Sequence, residues 1–221
     1  MSRRRLATIL GLLLVVFAAI GVIATARGVF VTINGLFDDS AKRERYESFI
    51  SPVVMVDPAP FTMVENLEDS RLLQSAMWAA LTGENRSAYT YDEGGLLLVP
   101  ASDLNVAATK LYGPNVKIIH RSFEDNDASY LYDPDISAYR VPSINKVAYS
   151  PYVTEIKKDE NNNIVLTVGY VSPGNIWSTD TKGQSDEPVP EKFMLYTLTE
   201  WDQGYYISSV NYVDPNAAPR S

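Results

Sequence analysis

From Leu6 to Ala26 the chain carries no charged side chain, and no later stretch repeats so long an apolar run. At about 1.5 Å of rise per residue this run spans roughly 30 Å as a helix, the thickness of a hydrocarbon core, so residues 1–27 read as a cytoplasmic tip and a transmembrane helix. Polar residues follow. Asp38, Asp39 and Ser40 offer N-caps to a short helix reaching about Ile50. Pro52, Pro58 and Pro60 argue against continuous helix, which leaves Val53 to Val56 as an extended connector or short strand. Residues 28–64 therefore read as a juxtamembrane stalk and connector. From Glu68 the period turns helical: Leu72, Leu73, Ala76, Met77, Ala80 and Leu81 predict a helix over 69–82 that stops near Gly83 and buries Leu73, Met77 and Ala80. Asp69 or Ser70 would cap its start. A second helix fits Ala101 to Tyr112, capped by Ser102 or Asp103, with Leu104, Ala107, Ala108 and Leu111 on one face and Gly113-Pro114 as its stop.

After Asn115 the pattern is one of strands, β-branched and aromatic runs separated by turn residues. The runs are Val116–Phe123, Ser129–Tyr132, Ala138–Val141, Val147–Lys157, Ile164–Val171, Phe193–Trp201 and Tyr205–Val213. Two junctions read as hairpins, the polar stretch from Lys158 to Asn163 and the turn Asp202-Gln203-Gly204, where Gly supplies a positive φ. Helices followed by a strand meander predict an exported α+β domain over 65–214, its antiparallel sheet packed under the helices, with 215–221 as a disordered tail. The stretch from Ser172 to Glu191 is too long for an ordinary hairpin loop, and such length suggests either a functional loop or disorder.

The helical pair Leu72–Leu81 and Leu104–Leu111, followed by the hairpins 147–157 with 164–171 and 193–201 with 205–213, resembles the cystatin-like or NTF2-like superfamily. That resemblance implies helices lying across a strongly curved antiparallel sheet and a cone-shaped pocket beneath it. The whole chain is also similar to the uncharacterised single-span exported proteins of Gram-positive bacteria. The arginine head, the span, the Phe37-Asp38-Asp39-Ser40 stalk and the acidic, tyrosine-rich domain carry that likeness, which implies location more than activity.

Charge orients the span. Arg3, Arg4 and Arg5 precede it and only Arg27 follows, so the N-terminus is expected in the cytoplasm and the C-terminal domain outside, a single-pass arrangement in the cell membrane. Ala24-Thr25-Ala26 has the form of a signal-peptidase site, but the apolar run exceeds the usual length and resumes at Val29, Phe30 and Val31, which favours an uncleaved anchor. Four of the 19 cations lie in the first 27 residues, leaving 15 against 27 acidic groups and a net charge near −12 outside. Such a surface repels nucleic acid and anionic headgroups. The chain has no cysteine, so no disulfide framework, thiol nucleophile or thiolate metal site is available.

Candidate chemistry is sparse. Ser143 and Lys146 have the Ser-x-x-Lys spacing of penicillin-binding enzymes, but strand-like flanks and the absence of Ser-Asp-Asn or Lys-Thr-Gly partners make a surface turn the better reading. His120 alternates in phase with Val116 and Ile118, so its ring is expected to face the apolar side, as a core histidine or as a ligand-binding group in a pocket. The acidic clusters Glu124-Asp125-Asn126-Asp127, Asp133-Pro134-Asp135 and Asp159-Glu160 lack EF-hand spacing and read as solvated turns. Most of the 14 tyrosines fit ordinary strand propensity, whereas Trp177, inside the 172–191 loop, is a contact candidate. The expectation is a non-catalytic binding or interaction module of the cell envelope with His120 and Trp177 as ligand-binding residues. It would use no metal or cofactor, would hold the membrane by its N-terminal helix and would bind a protein or envelope partner rather than nucleic acid. The alternatives are a small-molecule sensor with a pocket under the sheet and an envelope serine hydrolase using Ser143 and Lys146.

Overall fold

The computed structural model describes residues 40–125, 128–143, 148–175, 178–179 and 185–213. The α-helices are α1 (residues 40–56), α2 (Asp69–Thr82) and α3 (Ala101–Tyr112), with the first two strands lying between α2 and α3. The strands are β1 (Thr90–Tyr91), β2 (Leu97–Pro100), β3 (Phe123–Asp125), β4 (Ala128–Asp133), β5 (Ala138–Val141), β6 (Ser150–Lys158), β7 (Ile164–Val171), β8 (Ser178–Thr179), β9 (Ser185–Asp186), β10 (Lys192–Trp201) and β11 (Gly204–Tyr212). The class is α+β, as the pattern predicts. The strands, however, form two antiparallel sheets with orders β1-β2-β5-β4-β3 and β11-β10-β7-β6, plus the small β8-β9 hairpin, rather than one curved sheet.

One core joins these layers within the compact unit that runs from Tyr46. α2 packs along α3, and α3 touches both β11 and β2, so it bridges the two sheets. The helical stripe faces inward as its spacing predicts: Leu73, Met77 and Ala80 of α2 and Leu104, Ala108 and Leu111 of α3 are buried. Opposite them lie alternate residues of the four-stranded sheet, among them Leu166, Val168, Met194, Leu198, Ile207 and Val210. Full burial of each such side chain stabilises by roughly 1.5–3 kcal/mol. Four tyrosines, Tyr130, Tyr139, Tyr170 and Tyr196, are also fully buried, so strand propensity and packing account for them.

Two segments depart from the pattern. α1 continues through Pro52 to residue 56 instead of stopping near Ile50. Proline costs the helix a hydrogen bond, but Ile50, Val53 and Val54 are each wholly buried, and that burial outweighs the loss. Residues read as connector thus supply core, and the compact unit begins at Tyr46 rather than 65. Residues 116–122 keep their alternation, with Val116, Ile118 and His120 half-buried and Lys117, Ile119 and Arg121 exposed, yet they join no ladder. Side chains hold this extended segment in place of backbone pairing. Neither α2 nor α3 receives a side-chain N-cap bond; Glu68 and Pro100 occupy those positions.

The acidic turns are used locally. Asp133 accepts a bond from the Asp135 N–H and pairs with Arg140 at 2.6 Å, and Arg140 also reaches Asp92 at 3.2 Å, tying two turns of the five-stranded sheet together. Asp159 accepts from the N–H groups of Asn161 and Asn163, which closes the β6–β7 hairpin. No group of acidic and histidine side chains among the described residues is arranged to hold a metal ion. No helix among them is long and apolar enough to cross a membrane; residues 6–26 lie outside the described residues, as does the 215–221 tail.

Candidate functional site

Charged and aromatic groups meet at the base of the 172–191 loop, beginning where α1 stops. Asp57, followed by Pro58, takes the left-handed backbone with φ 49°, and its N–H reaches back to the carbonyls of Val53 and Val54 at 3.1 and 3.2 Å. Aspartate tolerates that conformation better than most side chains. The carboxylate so placed accepts bonds from Lys192 Nζ at 2.6 Å on each oxygen. Lys192 opens β10, immediately after the loop, and its ammonium lies 4.7 Å from the Tyr170 ring centroid and 5.6 Å from that of Tyr149.

The neighbouring groups are paired in the same way. Tyr149 O–H donates to Glu191 Oε2 at 2.8 Å. That bond, with one from Ser172, holds Glu191 below the usual carboxylate range, and it raises Tyr149. Arg71 of α2 donates from Nη1 to the Val56 carbonyl at 3.2 Å. Beneath them the hydroxyls of Tyr170 and Tyr196 meet at 2.6 Å, and burial pushes both phenols up, so both stay neutral. These segments enclose an open recess of about 370 Å³ whose lining includes Asp57, Arg71, Asp125, Tyr149, Ser172 and Glu191. The Lys192 ammonium is held by the Asp57 carboxylate and the Tyr149 phenol by that of Glu191, an arrangement that can recognise polar or charged groups.

Against known proteins, the chain matches no family model, no curated protein and no solved structure. Its chemistry is therefore read from its own residues.

His120 is half-buried in an aromatic cluster away from the recess. Nδ1 lies 3.0 Å from the Tyr139 hydroxyl and Nε2 lies 3.1 Å from Asn105 Oδ1, while the ring stacks on Tyr132 at 5.4 Å. With the Asn105 carbonyl oxygen assigned toward Nε2, that nitrogen carries the proton and Nδ1 accepts from Tyr139. The backbone of Arg121 also hydrogen-bonds the Tyr139 hydroxyl, although burial still raises that phenol to about 12. His120 thus pins the 113–122 segment to α3 and β5. Ser143 is exposed just past β5. Lys146 and Trp177 lie outside the described residues.

The histidine carries a pH prediction. Burial lowers its folded pKa below the ordinary value, so on acidification the unfolded chain takes up the proton first. Stability held above the usual histidine range is then lost as pH falls through that range to the depressed folded value. Thermal melts between about pH 7.5 and about pH 5 should show a falling Tm in the wild type and a shallower fall in His120→Gln. Equal slopes would remove His120 from the titration.

The recess was not legible in sequence because its partners are remote: Lys192 and Asp57 are 135 positions apart. The available hint was Asp57-Pro58 after a helix, together with Glu191-Lys192 closing the long loop.

Proposed function

We propose that this chain is a membrane-anchored, extracytoplasmic, non-catalytic module of the cell envelope, built on a cystatin-like or NTF2-like domain, that captures a protein or envelope ligand beside the 172–191 loop. The observation that carries the reading is the recess of about 370 Å³ at the foot of that loop, where the Asp57 and Glu191 carboxylates are held by Lys192 and Tyr149. Support for the fold comes from α2 and α3 followed by the antiparallel meander β6-β7-β10-β11, and for the anchor from the apolar run 6–26 behind Arg3, Arg4 and Arg5. The sensor and hydrolase alternatives have less support. Tyr170, Tyr196, Met77 and Leu104 occupy the space under the four-stranded sheet, and Ser143 and Lys146 have no Ser-Asp-Asn or Lys-Thr-Gly partner in the sequence.

A membrane-impermeant, amine-reactive crosslinker applied to intact cells tests location and capture together, because it reaches lysines only outside the membrane. Mass spectrometry should recover one reproducible partner. Trp177→Ala, or deletion of most of the loop, should lower its yield without lowering Tm, since rejoining the flanking strands costs little loop-closure entropy. An unlabelled domain would overturn the location, and undiminished capture in both variants would overturn the role of the loop.

A further inference from the structure

Arg71, in the first turn of α2, is a cation without a carboxylate. Its Nη1 donates to the Val56 carbonyl at the end of α1 and to Gln74 Oε1, both at 3.2 Å, and Gln74 is itself held by its Nε2 bond to the Glu124 carbonyl at 3.2 Å. Both acceptors are neutral. Nε and Nη2, which form the other edge of the guanidinium fork, have no partner among the described residues, and Arg71 forms no ion pair among them. Glu191 is the converse case. The donors to its carboxylate are the neutral hydroxyls of Tyr149 and Ser172, and it too forms no ion pair among the described residues.

Arg71 and Glu191 both line the recess of about 370 Å³ at the base of the 172–191 loop, the first half-buried and the second exposed, so a guest can reach both. The other charges there are committed. Asp57 is held by Lys192, and Asp125 accepts a bond from Trp78 Nε1 at 3.1 Å. Opposite charges that line one recess without pairing are left to solvent, and a guest that carries both complementary charges satisfies the two at once. The volume lies at the small end of the range of about 300–1,000 Å³ for ligand pockets, and Met55, Ala148 and Pro173 add an apolar wall.

We propose that the recess binds the head group of an α-amino acid, its carboxylate on the Nε and Nη2 edge of Arg71 and its ammonium on Glu191, with an apolar side chain against Met55, Ala148 and Pro173. A planar guanidinium edge meets a carboxylate with two parallel bonds, a match that a lysine ammonium in its place does not make. The Glu191 carboxylate has acceptor capacity beyond its two hydroxyl bonds. Charge sets the selectivity: Asp57, Asp125 and Glu191 repel a guest with a second negative charge, and Arg71 repels a guest that is only a cation. The inference rests on the recess being the site of capture and names the chemistry taken there.

The test is calorimetric titration of the full chain in detergent micelles with L-leucine, N-acetylleucine and leucinamide as probes. Leucine should bind, and the two derivatives, which each lack one of the charges, should bind at least about tenfold more weakly. Arg71→Lys keeps a cation near the Val56 carbonyl but has no fork, so it should keep its Tm and lose leucine affinity at least about tenfold. Glu191→Gln keeps an acceptor for Tyr149 without the charge, and in it leucine and N-acetylleucine should bind alike. Absence of leucine binding, equal affinities for the three probes, or full leucine affinity in Arg71→Lys would overturn the proposal. Nε-acetyllysine carries the same head group on an amide-linked arm and identifies the source: tighter binding than leucine assigns a head group tethered to a larger envelope ligand, weaker binding a free amino acid. If leucine does not bind while loop deletion still lowers the yield of crosslinked partner, the ligand class falls and the capture site stands. Crosslinking undiminished by loop deletion and by Trp177→Ala overturns the capture site, whatever leucine does.

Discussion

Met77→Asp should unfold the domain. Met77 is wholly buried on the inner face of α2, in the core cluster shared with α3 and both sheets. An aspartate there either stays charged in an apolar surrounding or takes up a proton and leaves polar oxygens unsatisfied. Either outcome costs about 4 kcal/mol or more, a large share of the 5–15 kcal/mol by which domains of ordinary size are stable. Far-UV circular dichroism and a thermal melt of the purified protein provide the measurement, with Met77→Leu as a control expected to cost less than about 1.5 kcal/mol. A cooperative melt at the wild-type temperature in Met77→Asp would mean that this face of α2 meets water.

The second large effect is expected at Gly169, where the ordinary rule should reverse. Replacing a strand glycine by alanine usually gains about 0.5–1 kcal/mol, since glycine loses the most freedom on folding. In β7, though, an added Cβ would lie 2.5 Å from Pro190 Cγ and 2.8 Å from Pro190 Cβ. The missing side chain lets the proline lie on the sheet, and the chain beyond it then donates the Glu191 N–H to the Tyr170 carbonyl at 2.9 Å. Gly169→Ala should force Pro190 outward, at about 1–3 kcal/mol, and lower Tm by about 2–4 °C for each kcal/mol. Because Glu191 and Lys192 follow Pro190 directly, their bonds to Tyr149 and Asp57 should loosen, and capture of the partner should fall with stability. A variant as stable as wild type would show that the loop base tolerates displacement.

Much of the fold was legible where local periodicity and burial agree. The helices at 69–82 and 101–112 and the strands 138–141 and 164–171 lie where the pattern places them, and Gly204 takes its positive φ of 121° in the last hairpin. Local rules failed where a remote contact outweighed them. Pro52 reads as a helix stop, yet the burial of Ile50, Val53 and Val54 carries α1 past it. Residues 116–122 read as a strand by alternation, yet alternation reports only which side chains face inward, and here a histidine and its two bonds stand in for a ladder. The hairpin of β1 and β2 escaped notice although Asp92, Gly94 and Gly95 before an apolar run are its turn signal; Asp92 accepts the N–H groups of both Gly94 and Leu96.

The sequence by itself determined the α+β class, the inward faces of α2 and α3, the two hairpin turns and the acid-rich surface. Each depends on residues near one another along the chain, or on composition alone. Only the tertiary structure decided that the strands divide into two sheets bridged by α3, that His120 ties a segment to Asn105 and Tyr139, and that Asp57, held by Lys192, meets Tyr149 and Glu191 in one recess. Sheet membership and ion pairing are choices among distant partners. The hydrophobic effect that drives the collapse is non-directional, so which partners meet is settled when all the segments share one core.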